Sequence, residues 1–366
     1  MGSEKTLNHG VLGERQFDFV GWAQFSRADA VDRRGHEKTV PACRAHTGLQ
    51  AGVVSQAGEM SPETPAPPLR KAKLLGRISN CAAMLFALWT TVASASVSTI
   101  DDAQRTVTLT APAKRIVSLA PHATELLFAA GAGDKLVGVG EYSDYPPAAK
   151  RIHSVGRTAS LDLERIVTLK PDLVVFWGSG NSASQIAKLR GLGVPLFESE
   201  PRDFETIASS MERLAHLSGT DAVGQVAAAT FRARLAKLEQ AYRHRPTVSV
   251  FYQIWREPLL TLNDAHLVSS VIRLCGGENS FGKLPQLTPT ISVEAILQAD
   301  PEVIIASNSR KDDTSSGWRR FPMLTAVKRD NLFSVHVDWL TRSGPRILDG
   351  IEELCGHLEV ARTRRK

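Results

Sequence analysis

The sequence predicts an α/β protein of two related lobes, joined by a single long helix, with a ligand cleft between the lobes. Three observations predict it. Residues 163–175 read LERIVTLKPDLVV and residues 293–305 read VEAILQADPEVII. The two align without gaps, about one domain length apart: a Glu, an apolar pair, a polar stretch, Pro, an acid and an apolar run. Strand-like runs alternate with helical patterns from residue 107 onward, which reads as parallel sheet covered on both faces. Between the copies, Asp221 to Arg243 is Ala-rich and charged, with Gly224 as its only breaker. At about 1.5 Å per residue such a helix extends on the order of 30 Å, the width of a small lobe. It reads as a strut between lobes, or alternatively as one more surface helix of the first.

The elements follow in order. Residues 107–109 read as an edge strand and Arg115 to Ala120 as a buried strand. Pro121 with Thr124-Glu125 opens a helix through Ala130, stopped by Gly131 and Gly133. Leu136 to Val139 is a strand, and Tyr142 to Pro147 a loop. Asp162 and Ser292 are helix N-caps two residues before Glu164 and Glu294. Each repeat copy is therefore a short helix, a Pro-marked stop and a buried parallel strand, the first copy's strand being Leu173 to Trp177. Ser182 to Leu192 is a helix, Val194 to Phe197 a strand, and Phe204 to Leu217 an amphipathic helix. After the strut come the strand Val248 to Tyr252, a helix Leu267 to Leu274 and the second copy. A strand Leu332 to Val335 and a final helix from Pro345 to about Val360 complete the chain.

With 366 residues, 43% of them hydrophobic, the chain can bury two cores of ordinary size. Its net charge of +6 is spread out, and without a basic patch there is no case for a nucleic-acid partner. Arg70, Lys71, Lys73 and Arg77 precede the apolar run Cys81 to Ala93 and the small residues Ala93-Ser94-Ala95. That is the order of a secretory signal, and the run is shorter than the roughly 20 residues a membrane span needs. A buried core helix and an uncleaved anchor are the alternatives. The expected layout is an upstream extension over 1–59, with Met60 as the biological start, and a signal peptide over 60–95. An N-terminal lobe over 96–218, a linking helix over 219–245 and a C-terminal lobe over 246–366 follow. Cys275 and Cys355 then remain as an even pair in an exported, oxidising setting, where they form a disulfide or stay as two buried thiols.

No catalytic motif is present: no GxSxG, HExxH, GxxxxGK[ST] or CxxC, and GAGDKLVG lies between helix and strand rather than strand and helix. The histidines show no metal-ligand spacing, so neither an enzyme nor a protein-held metal or cofactor is expected. Open α/β sheets bind ligands at strand ends. The residues there are Pro121, His122, Tyr142, Tyr145, Trp177, Trp255, Asp338, Trp339 and Arg342. This aromatic and polar set suits a bulky, flat, partly apolar ligand held by contact area, with core packing as the alternative for each aromatic.

Arg115-Ile116-Val117-Ser118-Leu119 with Thr124-Glu125, then YSDYPP at 142–147, LERIVTLKPDLVVFW, CGGEN at 275–279, and Asp338-Trp339 with Ser343-Gly344-Pro345-Arg346 form a series. Over about residues 114–360 this series closely resembles the cobalamin-binding members of the helical-backbone (class III) periplasmic binding proteins of ABC importers. The resemblance implies two Rossmann-like lobes on one long helix, with a corrinoid held between them as transported ligand. It places Tyr142 or Tyr145, Trp177 and Asp338 at the ligand and pairs Cys275 with Cys355. It makes Glu164 and Glu294 the carboxylates that dock on arginines of the importer's permease dimer. A monomer in the periplasm is implied. Thr158 and Thr288 stand where the family has Trp, with Trp255 to replace lost aromatic surface, so haem or a ferric siderophore is the alternative ligand. A siderophore calls for cleft cations, and Arg157, Arg256 and Arg342 are the candidates. The mature protein should begin near Ser96; N-terminal sequencing of the exported product checks this, and recovery of residues 1–59 would refute it.

Overall fold

A computed structural model describes residues 96–308 and 316–365. The proposed upstream extension and signal segment, with Cys43 and Cys81, lie outside the described residues. The described residues open with an antiparallel hairpin, β1 (Val97–Ile100) and β2 (Thr106–Leu109). The first lobe is built on β3 (Ile116–Ser118), β4 (Leu136–Val139), β7 (Leu173–Trp177) and β8 (Leu196–Ser199), in the order β4-β3-β7-β8. The short hairpin β5 (Gly156–Arg157) and β6 (Ser160–Leu161) lies between β4 and β7 in the chain. The second lobe holds β9 (Val248–Gln253), β10 (Gly277–Asn279), β11 (Val303–Asn308) and β12 (Leu332–His336), in the order β10-β9-β11-β12. Both sheets are parallel throughout. Counted within its lobe each has the order 2-1-3-4, so the internal repeat extends to the whole topology. The buried runs of β3 and β7 follow from helices on both faces.

The helices are α1 (Pro121–Ala129), α2 (Leu163–Thr168), α3 (Ala183–Gly191), α4 (Phe204–Ser218) and α5 (Asp221–Tyr242). In the second lobe they are α6 (Leu267–Leu274), α7 (Val293–Ala299), α8 (Thr325–Lys328), α9 (Val337–Thr341) and α10 (Ile347–Thr363). The repeat copies contribute α2–β7 and α7–β11, each third in its sheet. Asp162 accepts from the Arg165 amide and Ser292 from the Ala295 amide, so both N-caps form. Each copy then leaves its helix through a left-handed residue before Pro: Lys170 at φ 47° and Asp300 at φ 41°. Neither is glycine, and at Asp300 the carboxylate accepts from the Thr325 amide and hydroxyl, both at 2.7 Å.

Between the lobes α5 runs unbroken. Ala228, Phe231 and Leu238 join the largest core cluster, which includes residues from both lobes. Arg232 pairs with Glu205 (2.5 Å) and Glu212 (2.6 Å) of α4, while Arg234 pairs with Asp349 and Glu352 of α10, both at 2.8 Å. Two residues turn a helix by about 200°, so neighbouring arginines brace opposite lobes. Gly224 is a close approach rather than a break: a Cβ there would lie 2.3 Å from that of Ala215 in α4.

Several expected boundaries move: the buried strand expected over 115–120, for one, is Ile116–Ser118. The strand expected at 194–197 is Leu196–Ser199, because Gly193 takes φ 75° and delays the extended backbone. There the buried Asp101 and the half-buried Asp102 of the β1–β2 turn accept from the amides of Glu198 (3.3 Å) and Glu200 (2.6 Å). The final helix begins at Ile347, after the Gly344-Pro345 turn, and continues to Thr363. Cys275, after α6, and Cys355, on α10, are disulfide-bonded with Cα atoms 4.8 Å apart, which resolves the open choice between disulfide and thiols. Arg362 of α10 donates to the carbonyls of Cys275 (2.7 Å) and Pro246 (2.8 Å), tying the same corner. Converting both cysteines to Ala should lower unfolding stability by up to roughly 4 kcal/mol on the chain-entropy estimate for a loop of this length. Urea unfolding with and without reductant measures it; equal midpoints for native and variant protein would refute it.

Candidate functional site

The site is assembled where strands end. Helix α1 starts directly after β3, with Pro121 at its first turn and no side-chain cap. His122 is buried; its Nε2 lies 3.1 Å from Ser199 Oγ, and its ring meets Trp177 edge-on at 5.5 Å. His122 thus backs Trp177 rather than facing a cleft with its own surface. Trp177 is half-buried at the end of β7. Its amide donates to Asn181 Oδ1 (2.7 Å), and Asn181 Nδ2 donates to the carbonyl of Thr158 (2.9 Å). Gly180 makes room for the indole, since a Cβ there would fall 2.1 Å from it.

The loop after β4 is seated by a buried hydroxyl cluster. Thr124 Oγ1 lies 2.9 Å from Ser118 Oγ and 3.0 Å from Ser143 Oγ. Tyr142, at φ 65°, is a non-glycine residue in the left-handed region, and the loop then presents Asp144 and Tyr145. Tyr145 is 43% exposed, and the Arg346 guanidinium lies over its ring at 4.0 Å.

Arg346 comes from the other lobe. It grips Glu125 of α1 with two bonds, Nε to Oε2 at 2.9 Å and Nη2 to Oε1 at 2.5 Å. Arg342 reaches Glu125 (3.2 Å), Asp144 (2.9 Å) and Asp338 (3.0 Å). Glu125 is 3% exposed. Burial pulls the Arg346 pKa down, but the Glu125 bond together with the charges of Glu125, Asp338 and Tyr145 outweighs it, and the net shift is upward. Arg342, read from the sequence as a ligand residue, is thereby the hub of an inter-lobe ion network. Asp338 opens α9, where its amide donates to His336 Nδ1 (3.3 Å), and Trp339 stacks on His336 at 5.1 Å. Trp255 closes the turn after β9 by donating from Nε1 to the Glu257 carbonyl (2.8 Å).

Sequence reasoning did not assign Glu125, Asp144, Arg346 or Asn181 to the site. The charged Glu among the mostly apolar residues of PHATELLFA was the available signal. The other cations considered for the cleft also have acids nearby: Arg157 pairs with Glu141 (2.8 Å), and Arg256 lies 4.0 Å from Glu257. Glu164 and Glu294 are exposed on the first turns of α2 and α7. Hydrogen bonds from its own amide and from Ser292 hold the Glu294 carboxyl below the usual range. Among the described residues no group of three or more His, Cys, Asp or Glu is placed to hold a metal ion. No described helix is long and apolar enough to cross a membrane.

Burial lowers the His122 pKa from 6.5 to about 4; the Ser199 contact opposes this and the Arg342 charge adds to it. Above pH 6.5 the ring is neutral in folded and unfolded chains alike, and stability is undiminished. As pH falls from 6.5 toward 4 the unfolded chain takes up a proton that the folded chain refuses, so stability is lost. The loss approaches about 3 kcal/mol, at roughly 1.4 kcal/mol per unit. Urea midpoints should therefore drop between pH 7 and pH 4.5, and His122→Gln should shrink that drop. Burial of His266, also held at about 4, supplies a remainder in the variant. Identical drops in native and variant protein would contradict the assignment.

Residues 116–338 match the periplasmic binding protein family. The chain is 42% identical over 251 residues to the vitamin B12-binding protein of Vibrio cholerae, covering 68% of this chain and 91% of that protein. It is 40% identical over 256 residues to the vitamin B12-binding protein of Vibrio campbellii, covering 69% of this chain and 92% of that one. The crystal structure of the periplasmic vitamin B12 binding protein BtuF of Vibrio cholerae is similar at TM-score 0.64, covering 69% of this chain and 98% of BtuF. The periplasmic heme-binding protein RhuT from Roseiflexus sp. RS-1, in apo form, shares the fold at TM-score 0.61 and 24% identity, covering 68% and 99% of the two chains. With the paired parallel sheets, the single linking helix and the strand-end site already described, this chain belongs to the periplasmic binding protein family.

Proposed function

We infer that this chain is a periplasmic substrate-binding protein that captures cobalamin or a related corrinoid and delivers it to an ABC importer. The observation that carries the reading is 42% identity sustained over 91% of a vitamin B12-binding protein. The site chemistry supports it. Tyr142, Tyr145, Trp177, Trp255 and Trp339 offer aromatic contact area at strand ends, beside Pro121 and His122. Asp338 and Arg342 supply polar contacts. The protein acts as a binder rather than an enzyme, as its relatives' names do, and cobalamin is cargo rather than cofactor.

In this reading residues 60–95 are the signal peptide, 1–59 an upstream extension, and 96–218 and 246–366 the lobes on either side of a 219–245 linker. The protein works as a monomer. Glu164 and Glu294 dock it on a permease dimer: they are exposed, occupy matched places in the two copies, and need no part in ligand contact. A two-fold partner would meet one acid on each lobe, and carboxylate–Arg pairs fix orientation as well as affinity.

Titration calorimetry with cobalamin, cobinamide and haem tests the function: cobalamin should bind at one equivalent without turnover, and preference for haem would overturn the reading. Changing Glu164 and Glu294 together to Ala should leave cobalamin affinity within about twofold while uptake into cells is lost, because rim charges govern docking rather than the cleft. Uptake that survives the double change, or affinity that collapses with it, would refute the docking role.

A further inference from the structure

The ladder between β3 and β7 ends on a rung that the two strands do not make. They pair from Ile116↔Leu173 to Ser118↔Val175, and the Leu119 amide then donates to the Val175 carbonyl (2.8 Å). In a parallel ladder the next rung needs two bonds: the Trp177 amide to the Leu119 carbonyl, and the amide of residue 121 to the Trp177 carbonyl. Residue 121 is proline, which has no N–H to give. Asn181 supplies both halves instead. Its Oδ1 accepts from the Trp177 amide (2.7 Å) while its Nδ2 donates to the Leu119 carbonyl (3.3 Å), so a side-chain amide is inserted into the rung. Its own backbone amide donates to the Trp177 carbonyl (3.0 Å), where a residue other than proline at 121 would have done so. Nδ2 also donates to the Thr158 carbonyl (2.9 Å), in the turn between β5 and β6.

One N–H and two carbonyls converge on this side chain, so it must offer one acceptor and two donors, as an amide does. Aspartate has the same shape but no donor. Asn181 is 6% exposed, so groups it failed to satisfy would be left unpaired away from water. The place matters as much as the chemistry. β3 and β7 are the first and third strands of a 2-1-3-4 sheet, the point where strand order reverses and open α/β sheets take their ligands. There β7 continues to Trp177, paired with Ser199 of β8, while β3 gives way to α1. The indole lies against Gly180, in the loop that Asn181 closes. Glu200 ties Ser179 of the same loop through its amide (2.7 Å) and its hydroxyl (3.0 Å). We propose that Asn181 is a positioning residue for ligand binding: by standing in for the missing rung between β3 and β7 it fixes the aim of Trp177 into the cleft. The inference rests on the reading that Trp177 meets a corrinoid there.

A double-mutant cycle, read by titration calorimetry with cobalamin, tests it. Trp177→Ala should weaken binding about tenfold, the scale of one lost aromatic contact. Asn181→Ala, with the indole still present, should weaken it roughly three- to tenfold. In the Trp177→Ala background the same Asn181 change should cost less than about twofold, because the ring it acts through is gone. A residue that merely held the fold would cost the same in both backgrounds. Asn181→Asp keeps the acceptor for the Trp177 amide and gives up both donors; it should repeat the pattern, and it carries the test where Asn181→Ala does not fold. Native protein gives a reading without any variant: by NMR the Trp177 amide should exchange with heavy water as slowly as the amides inside β7, because the side-chain bond protects it. Equal Asn181 penalties in the two backgrounds, or free exchange of the Trp177 amide, would overturn the inference while leaving the cobalamin reading intact. So would a Trp177→Ala change that costs nothing. Failure of cobalamin to bind the native protein would remove both.

Discussion

A carboxylate held out of water between two guanidiniums from the other half of the chain is the constraint on which this molecule's geometry depends. Glu125 sits inside the first lobe's site helix, and both of its arginines belong to the second lobe. A charge buried this deeply costs several kcal/mol unless it is paired, and deleting one partner of such a pair typically costs about 3–5 kcal/mol. The lobes therefore have an arrangement in which Glu125 is satisfied, and departures from it strand a buried charge. The pairing contributes less to net stability than a well-packed apolar contact of similar volume could. Its effect is to specify where the second lobe sits. Arg346 extends the specification by covering one face of Tyr145, a contact of roughly 0.5–2 kcal/mol.

The linking helix works in the same direction by different means. Hinges need a few residues whose backbone angles can change widely. From Asp221 to Tyr242 the chain is instead a continuous helix whose apolar face is shared by one core. The ion pairs of Arg232 and Arg234 are more than a third exposed on the arginine side, so each is worth about 1 kcal/mol or less. Their value lies in geometry: one arginine holds α4 and the other α10, which fixes the rotation of the helix relative to both lobes. A strut braced at both ends offers no hinge of that kind.

Much of the fold was legible because it is local or repeated. Leu173 to Trp177 and Leu267 to Leu274 were readable to the residue from apolar runs bounded by Pro and Gly. The repeat gave both N-caps, since Asp162 and Ser292 act within three residues of themselves. The left-handed exits at Lys170 and Asp300 were less legible, because Lys does not advertise positive φ and Asp does so far more weakly than Gly. The strand after α3 was read two residues early: apolar content begins at Val194, but pairing with β7 begins at Leu196. The site was legible as a set of types and opaque as a set of partners. His122, Trp177 and Asp338 could be placed at strand ends by counting. That Arg342 and Arg346 would close on Glu125, more than 200 positions earlier, is a tertiary fact with no periodic signature.

Position 158 shows how type and role separate. The family resemblance sets an aromatic there, and Thr158 reads as lost contact surface. In the fold Thr158 is buried, at 4% exposure, and its contribution comes from its backbone. The carbonyl accepts from Asn181, whose other end receives the Trp177 amide, so the position helps to aim the aromatic that remains. A buried carbonyl requires a partner whatever side chain stands on its residue. The bond to Asn181 could therefore persist through a change from Trp to Thr while the side-chain surface did not. The loss at this position is confined to side-chain contact area. Charge is harder to replace. The acids and bases between the lobes are mutually dependent, and altering one leaves another unpaired in a partly desolvated place. Sequence change at the strand ends should accordingly be easier to accommodate than change in the Glu125 cluster.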